Sequence, residues 1–107
     1  MSKRAAELLL DDIREAIDKI ERYTRDLSLE GFMADEKTQD AVVRNLEIIG
    51  EAANRLPQEF KAQFADIEWP KIVGLRHRIV HNYFGIDLKI IWRIINEDLR
   101  VFKAQLQ

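Results

Sequence analysis

The amino-acid sequence predicts an all-α domain, an up-and-down bundle of four long helices plus a short one, formed by residues 1–107 as a single unit. Three observations predict it. Apolar residues recur at three-to-four spacing over long stretches, the pattern of one buried face on an α-helix. Only four Gly and two Pro punctuate the 107 residues, so the chain has few places to turn. The balance of 47% apolar to 34% charged residues is that of a soluble helical domain rather than a disordered or fibrous chain.

Taken in order, the first helix is expected from Lys3 to Leu27, with Leu9, Leu10, Ile13, Ala16, Ile17, Ile20, Tyr23 and Leu27 inward. Asp12, Arg14, Glu15, Asp18, Lys19, Glu21 and Arg22 fill its solvated face. Ser28 to Ala34 breaks the pattern and contains a glycine, so a loop is expected there, with Phe32 and Met33 tucked onto the core. Asp35 is the expected N-cap of a second helix running to Leu56, where Pro57 stops it, and Glu36 suits the positive end of its dipole. Val42, Leu46, Ile49, Ala53 and Leu56 form its stripe, while Arg44, Glu47, Glu51 and Arg55 make a charged ladder on the other side. Gly50 in the middle of that helix costs about 1 kcal/mol relative to Ala, which points to the close approach of another helix. Pro57 to Phe64 reads as the short helix, Trp69 to Tyr83 as the third long one with Pro70 in its first turn, and Phe84-Gly85-Ile86 as a turn. Asp87 then caps a last helix reaching about Leu106, with Ile91, Trp92, Ile95, Leu99 and Phe102 inward.

Composition narrows the function. With no cysteine, a disulfide framework, a thiolate metal site and a Cys nucleophile are all excluded. No apolar run approaches the ~20 residues of a membrane span, and Asp11-Asp12 interrupts Leu8-Leu9-Leu10 before a signal-like apolar region forms; a cytoplasmic protein is expected. A formal net charge of −2 and a pI near 5.7 argue against a general nucleic-acid-binding surface. Any RNA contact must be a narrow positive cleft, to which Arg76, Arg78, Lys71 and Arg93 are the candidates to contribute.

The chemistry-bearing residues gather in Arg76-His77-Arg78-Ile79-Val80-His81-Asn82-Tyr83. Counting about 100° per residue from Ile72, Leu75, Ile79 and Val80 fall on one side of a continuous helix, and Arg76 and Tyr83, at about 40° and 20°, in the middle of that side. His77 and His81, at about 140° and 180°, fall on the polar side, and Arg78 apart from both, toward solvent. Three readings stand. Arg76 is a buried or interface arginine held by a carboxylate from another helix. Alternatively His77 and His81, at i,i+4, share a metal such as zinc, for which the sequence assigns no third ligand, a carboxylate such as Glu47 or Glu51 being within reach only through folding. Or the segment is a metal-independent phosphodiesterase site, histidine moving the proton near neutral pH and the arginine fork neutralising phosphate. On a straight helix Arg76 and His81 stand about 140° apart, so the last reading needs a bend or a second subunit.

At these residues the sequence resembles a known family. Gly74-Leu75-Arg76-His77-Arg78-Ile79-Val80-His81-Asn82-Tyr83-Phe84-Gly85-Ile86-Asp87 is similar to the signature of HEPN-domain proteins of the HepT type: an arginine, four residues, a histidine, one residue and a tyrosine. Arg44-Asn45-Leu46-Glu47-Ile48-Ile49-Gly50-Glu51-Ala52 and Ile91-Trp92 are similar to its other recurrent segments. The resemblance implies a HEPN-like bundle that forms a homodimer with the motif in a cleft between subunits. It implies a ribonuclease toxin of a HepT/MntA-type (type VII) toxin–antitoxin pair, requiring no metal or other cofactor. Its partner would be a minimal nucleotidyltransferase antitoxin, MntA, that silences it by AMPylation. Carried over, His81 is the general acid/base, Arg76 holds the phosphate and Tyr83 receives AMP, with His77 and Arg78 supporting catalysis or binding substrate. His77 stands where that family commonly has asparagine. The alternative function is a non-catalytic interaction module that binds and assists or regulates a partner nucleotidyltransferase.

Overall fold

Ser2 sets the start of the first helix, its hydroxyl oxygen accepting a hydrogen bond from the Ala5 N–H at 3.1 Å. In this computed structural model, which describes residues 1–83 and 87–107 and, within 80–83, the backbone alone, α1 runs Lys3–Thr24. Its inward residues Leu9, Leu10, Ile13, Ala16, Ile17 and Ile20 are buried as the spacing predicts. Tyr23, expected inward, is exposed, because the helix ends one residue later and its last turn overhangs the core.

The segment expected to be a loop holds a short helix, α2, Leu29–Met33, capped by the Ser28 hydroxyl oxygen, which accepts from the Gly31 N–H at 3.1 Å. One turn of helix sends Phe32 and Met33 in different directions. Phe32 is completely buried, 5.2 Å from the Trp92 ring, whereas Met33 is exposed, contrary to the expectation that both tuck inward. The buried Gln39 amide donates to the carbonyls of Phe32 and Met33, so α2 is tied to the next helix by its backbone.

Asp35 caps α3, Glu36–Arg55, as expected: its carboxylate accepts from the Thr38 N–H at 3.0 Å and from the Thr38 hydroxyl at 2.6 Å. The hydroxyl bond, then the N–H bond, hold the Asp35 carboxyl below its ordinary value. The α3 stripe is buried throughout, and α3 is the central element, packed along α1 on one side and against the later helices on the other. Pro57 opens α4, Gln58–Lys61, which continues as a 3₁₀ turn over Ala62–Phe64. An aromatic series follows, Phe60 on Phe64, Phe64 on Trp69 and Trp69 on Phe102, with centroids 5.9, 6.4 and 5.9 Å apart. It closes the bundle's end with one tilted contact and two edge-on ones.

The third long helix is interrupted. It forms α5, Trp69–Val73, and α6, Leu75–Tyr83, with Gly74 between. A Cβ on Gly74 would come to 3.1 Å from the Pro70 carbonyl oxygen, so the bend places backbone where any other side chain would crowd it. The last helix is capped by Asp87, whose carboxylate accepts from the Ile90 N–H at 3.3 Å. It runs as α7, Leu88–Arg93, then a π-helical segment, Ile94–Asp98, then α8, Leu99–Gln105. Ile91, Ile94, Ile95, Leu99 and Phe102 are buried along it. No strand occurs among the described residues, and no described helix is long and apolar enough to cross a membrane. The expected turn at Phe84-Gly85-Ile86 lies outside the described residues.

Candidate active site

The site is organised by how α6 meets α3. A Cβ at Gly50 would lie 3.5 Å from the Arg76 backbone N and the Val73 carbonyl oxygen and 3.6 Å from the Ile72 carbonyl oxygen. The approach inferred from a glycine in mid-helix is therefore that of the α5–α6 bend. It brings Arg76, second residue of α6, next to Glu51.

α6 buries Leu75 and Ile79, which are i,i+4 and so lie one above the other on one face. Arg76 is not in that face. Its side chain is 68% exposed, and its Nη1 lies 3.9 Å from Glu51 Oε2, itself 56% exposed. The continuous-helix count misplaces it because the bend at Gly74 resets the phase between Ile72 and α6. The part of the buried-arginine reading that survives is the carboxylate from another helix. The charged ladder of α3 is more than solvated surface: Arg44, Glu47, Ile48, Glu51 and Arg55 join Leu9 and Asp12 of α1 and Arg76 in lining an open groove of about 430 Å³. From sequence, Glu47 and Glu51 stand out as carboxylates that folding could recruit, but not as neighbours of Arg76, and Leu9 and Asp12 of α1 read only as core and solvated face. The groove sets the guanidinium groups of Arg44, Arg55 and Arg76 among the carboxylates of Asp12, Glu47 and Glu51. Cationic and anionic side chains are thus matched in the groove lining.

Arg78 points elsewhere. Expected toward solvent, it is instead partly buried, its Nη1 donating to Asp98 Oδ2 at 3.0 Å. Lys71 Nζ lies 3.7 Å from the other oxygen, Oδ1, of the same carboxylate. Lys71 and Arg78 therefore meet Asp98 on the flank of α6 away from the groove, and of the four cations considered for a positive cleft only Arg76 lines the groove. His77 is exposed. α6 runs through His81 and Tyr83, but their side chains lie outside the described residues. Among the described residues no three His, Asp or Glu side chains gather as a metal site. What the motif helix offers chemically in the described part is the accessible, loosely paired guanidinium of Arg76, five N–H donors in a planar fork suited to phosphate oxygens.

Comparison with known proteins identifies the family over most of the chain. The family model "Ribonuclease HepT-like" matches residues 13–107. "Probable ribonuclease HepT" of Thermococcus cleftensis is 41% identical over 105 residues, covering 98% of this chain and 96% of that protein. "Putative RNase MJ1380" of Methanocaldococcus jannaschii is 36% identical over 107 residues, covering 100% and 98%. "Putative RNase MJ0127" of the same organism is 40% identical over 95 residues, covering 89% and 78%. No solved structure matches significantly. With the arginine–histidine motif on α6 and a family match over nearly its full length, the chain belongs to the HepT-like ribonucleases, a family of HEPN-domain proteins.

Proposed function

We propose that this chain is a metal-independent ribonuclease, the toxin of a HepT/MntA-type pair, acting as a homodimer and silenced by AMPylation of Tyr83. The observation that carries the reading is Arg76. It stands on the motif helix, is 68% exposed, is held at 3.9 Å by one carboxylate, and lines an open groove, so a phosphate can reach its guanidinium. It can exchange Glu51 for a phosphate at little cost, since an exposed ion pair is worth at most ~1 kcal/mol.

In the proposed reaction His81 takes the proton from a ribose 2′-hydroxyl, whose oxygen attacks the adjacent phosphorus. The bond to the 5′-oxygen of the next nucleotide breaks, and that oxygen is protonated as it leaves. Arg76 neutralises the charge gathering on the non-bridging oxygens, a role worth on the order of 10²–10³ in rate. His77, next to Arg76 and exposed, supports substrate binding. A second subunit packed on the groove would bring two motifs together, which accounts for the need to complete the site beyond one α6. AMP on Tyr83 adds bulk and negative charge two residues from His81, where RNA must sit.

Purified protein should cleave RNA in EDTA, and Arg76→Ala and His81→Ala should each lose at least about 10²-fold while keeping the wild-type circular dichroism spectrum. Undiminished cleavage by both variants sinks the assignment. Cleavage abolished by EDTA and restored by zinc moves it to the His77/His81 metal site. Growth arrest on expressing the chain alone, relieved by the nucleotidyltransferase, tests the toxin role. AMP-sized mass additions with partner and ATP, absent in Tyr83→Phe, test the modification.

A further inference from the structure

We propose that Asp98 is a positioning residue for the arginine–histidine site, acting through Arg78 to fix the rotation of α6; this rests on the ribonuclease reading above. The π-helical segment puts Asp98 in place. Counted from Ile91 at about 100° per residue, an unbroken α-helix would set Asp98 at about −20°, in the middle of the buried stripe. Over Ile94–Asp98 the helix is wound more widely, with bonds that close one residue later. The helix is thereby retarded, and Asp98 emerges at the edge of the stripe, facing α5 and α6. There its carboxylate, 23% exposed, engages Arg78 through one oxygen at 3.0 Å and Lys71 through the other at 3.7 Å. Leu99 remains buried next to it.

Arg78 follows Arg76 by two residues, about 200° around α6. The two arginines therefore leave the helix on opposite flanks, one toward Glu51 and the groove, the other toward Asp98. Leu75 and Ile79 bury α6 against its neighbours, and an apolar contact lacks the directionality of a hydrogen bond. The Arg76–Glu51 pair is long and exposed and cannot set that rotation. The Arg78–Asp98 bond is short, charge-assisted and partly shielded from water. A rotation of about 10° displaces a group at the helix surface, roughly 6 Å from the axis, by about 1 Å. A misplacement of about that size can cost ~10² in rate.

Steady-state cleavage of a short RNA by the full-length protein, at a temperature where circular dichroism shows every variant folded, tests this. Asp98→Ala should lower kcat roughly ten- to a hundredfold with KM within about twofold, the mark of a contribution to the chemical step rather than to binding. Asp98→Glu should recover most of kcat. Arg78→Gln should lower kcat in the same way, and the double variant should be no slower than Asp98→Ala, since Asp98→Ala already removes the Arg78–Asp98 tie. A merely structural tie would lower the melting temperature and leave kcat of the folded protein unchanged, which overturns the proposal. Additive losses in the double variant overturn it as well. If Asp98→Ala does not fold, Arg78→Gln and Asp98→Glu carry the same comparison. Arg76→Ala separates the two levels: full activity there removes the ribonuclease reading itself, whereas loss there with wild-type kcat in Asp98→Ala and Arg78→Gln removes the positioning role alone.

Discussion

Substituting Gly50 by alanine and by leucine separates two costs that the α3–α6 contact combines. A Cβ at this position would meet the Arg76 N and the Val73 and Ile72 carbonyl oxygens at 3.5, 3.5 and 3.6 Å, ordinary van der Waals distances. Alanine therefore fits without moving α6, and it recovers the helix propensity that glycine forgoes, about 1 kcal/mol in a helix interior. For a domain of this size that is a rise in melting temperature of roughly 4 °C or more. Because Arg76 does not move, RNA cleavage by Gly50→Ala should match the wild type. Leucine is different in kind. The three atoms around the site are backbone, which cannot rotate aside as a side-chain tip would, so its extra carbons must push the α5–α6 bend off α3. Overpacking of that sort costs about 1–3 kcal/mol, and the displaced α6 should lose cleavage even where the protein stays folded. Thermal melts followed by circular dichroism, with cleavage assayed well below each midpoint, read both effects. A lower midpoint for Gly50→Ala, or a Gly50→Leu protein as stable and active as the wild type, would refute the packing argument.

Two further outcomes follow from the same structure. Asp35, whose carboxyl is held below its ordinary value of 3.8 by the Thr38 hydroxyl and N–H, contributes stability that is fully present above pH 3.8 and lost as pH falls through the lowered folded value; the stability gap between wild type and Asp35→Asn in urea unfolding should therefore be wider at pH 5 than at pH 2.5, and an equal gap at both would contradict it. Glu51→Gln removes the partner of Arg76 from an exposed pair, so unfolding free energy should change by less than about 0.5 kcal/mol, while KM for RNA should fall, because the carboxylate no longer competes with phosphate; a rise in KM would instead give Glu51 a part in orienting the guanidinium.

The two longest helices were legible because each carries its apolar pattern for five or more turns, long enough that an error at either end leaves the face unchanged. α1 as far as Ile20, and α3 throughout, bury the residues the spacing selects, Tyr23 and Leu27 at and just beyond the far end of α1 being the exceptions, and Asp35 and Asp87 cap where their side-chain chemistry suggests. Short elements gave less. α2 has one turn and therefore no periodicity, and nothing in five residues distinguishes which of Phe32 and Met33 turns inward. The π segment was not legible for a different reason: Ile91, Ile94, Ile95, Leu99 and Phe102 satisfy an ordinary helical stripe, so the only residue to betray the wider turn is Asp98, whose partner lies twenty positions earlier in the chain.

Arg76 and Arg78 show why a motif can be legible as letters and illegible as geometry. A helical wheel measures angle from whatever residue begins it, and the bend at Gly74 makes Ile72 the wrong origin for everything on α6. With Leu75 and Ile79 as the buried reference instead, Arg76 is displaced about 100° from Leu75, to the groove side, and Arg78 about 100° from Ile79 in the other direction, to the Asp98 side. That assignment agrees with both observed ion pairs. Arg76, the arginine that opens the motif, is the loosely held one, and Arg78, next in the row of charges, is the tightly held one. Under the proposed mechanism, in which Arg76 passes to a phosphate while α6 stays fixed, that division of labour is what the chemistry needs. It also explains why the groove can be electrically balanced without being inert: only the loosely paired guanidinium needs to change partners.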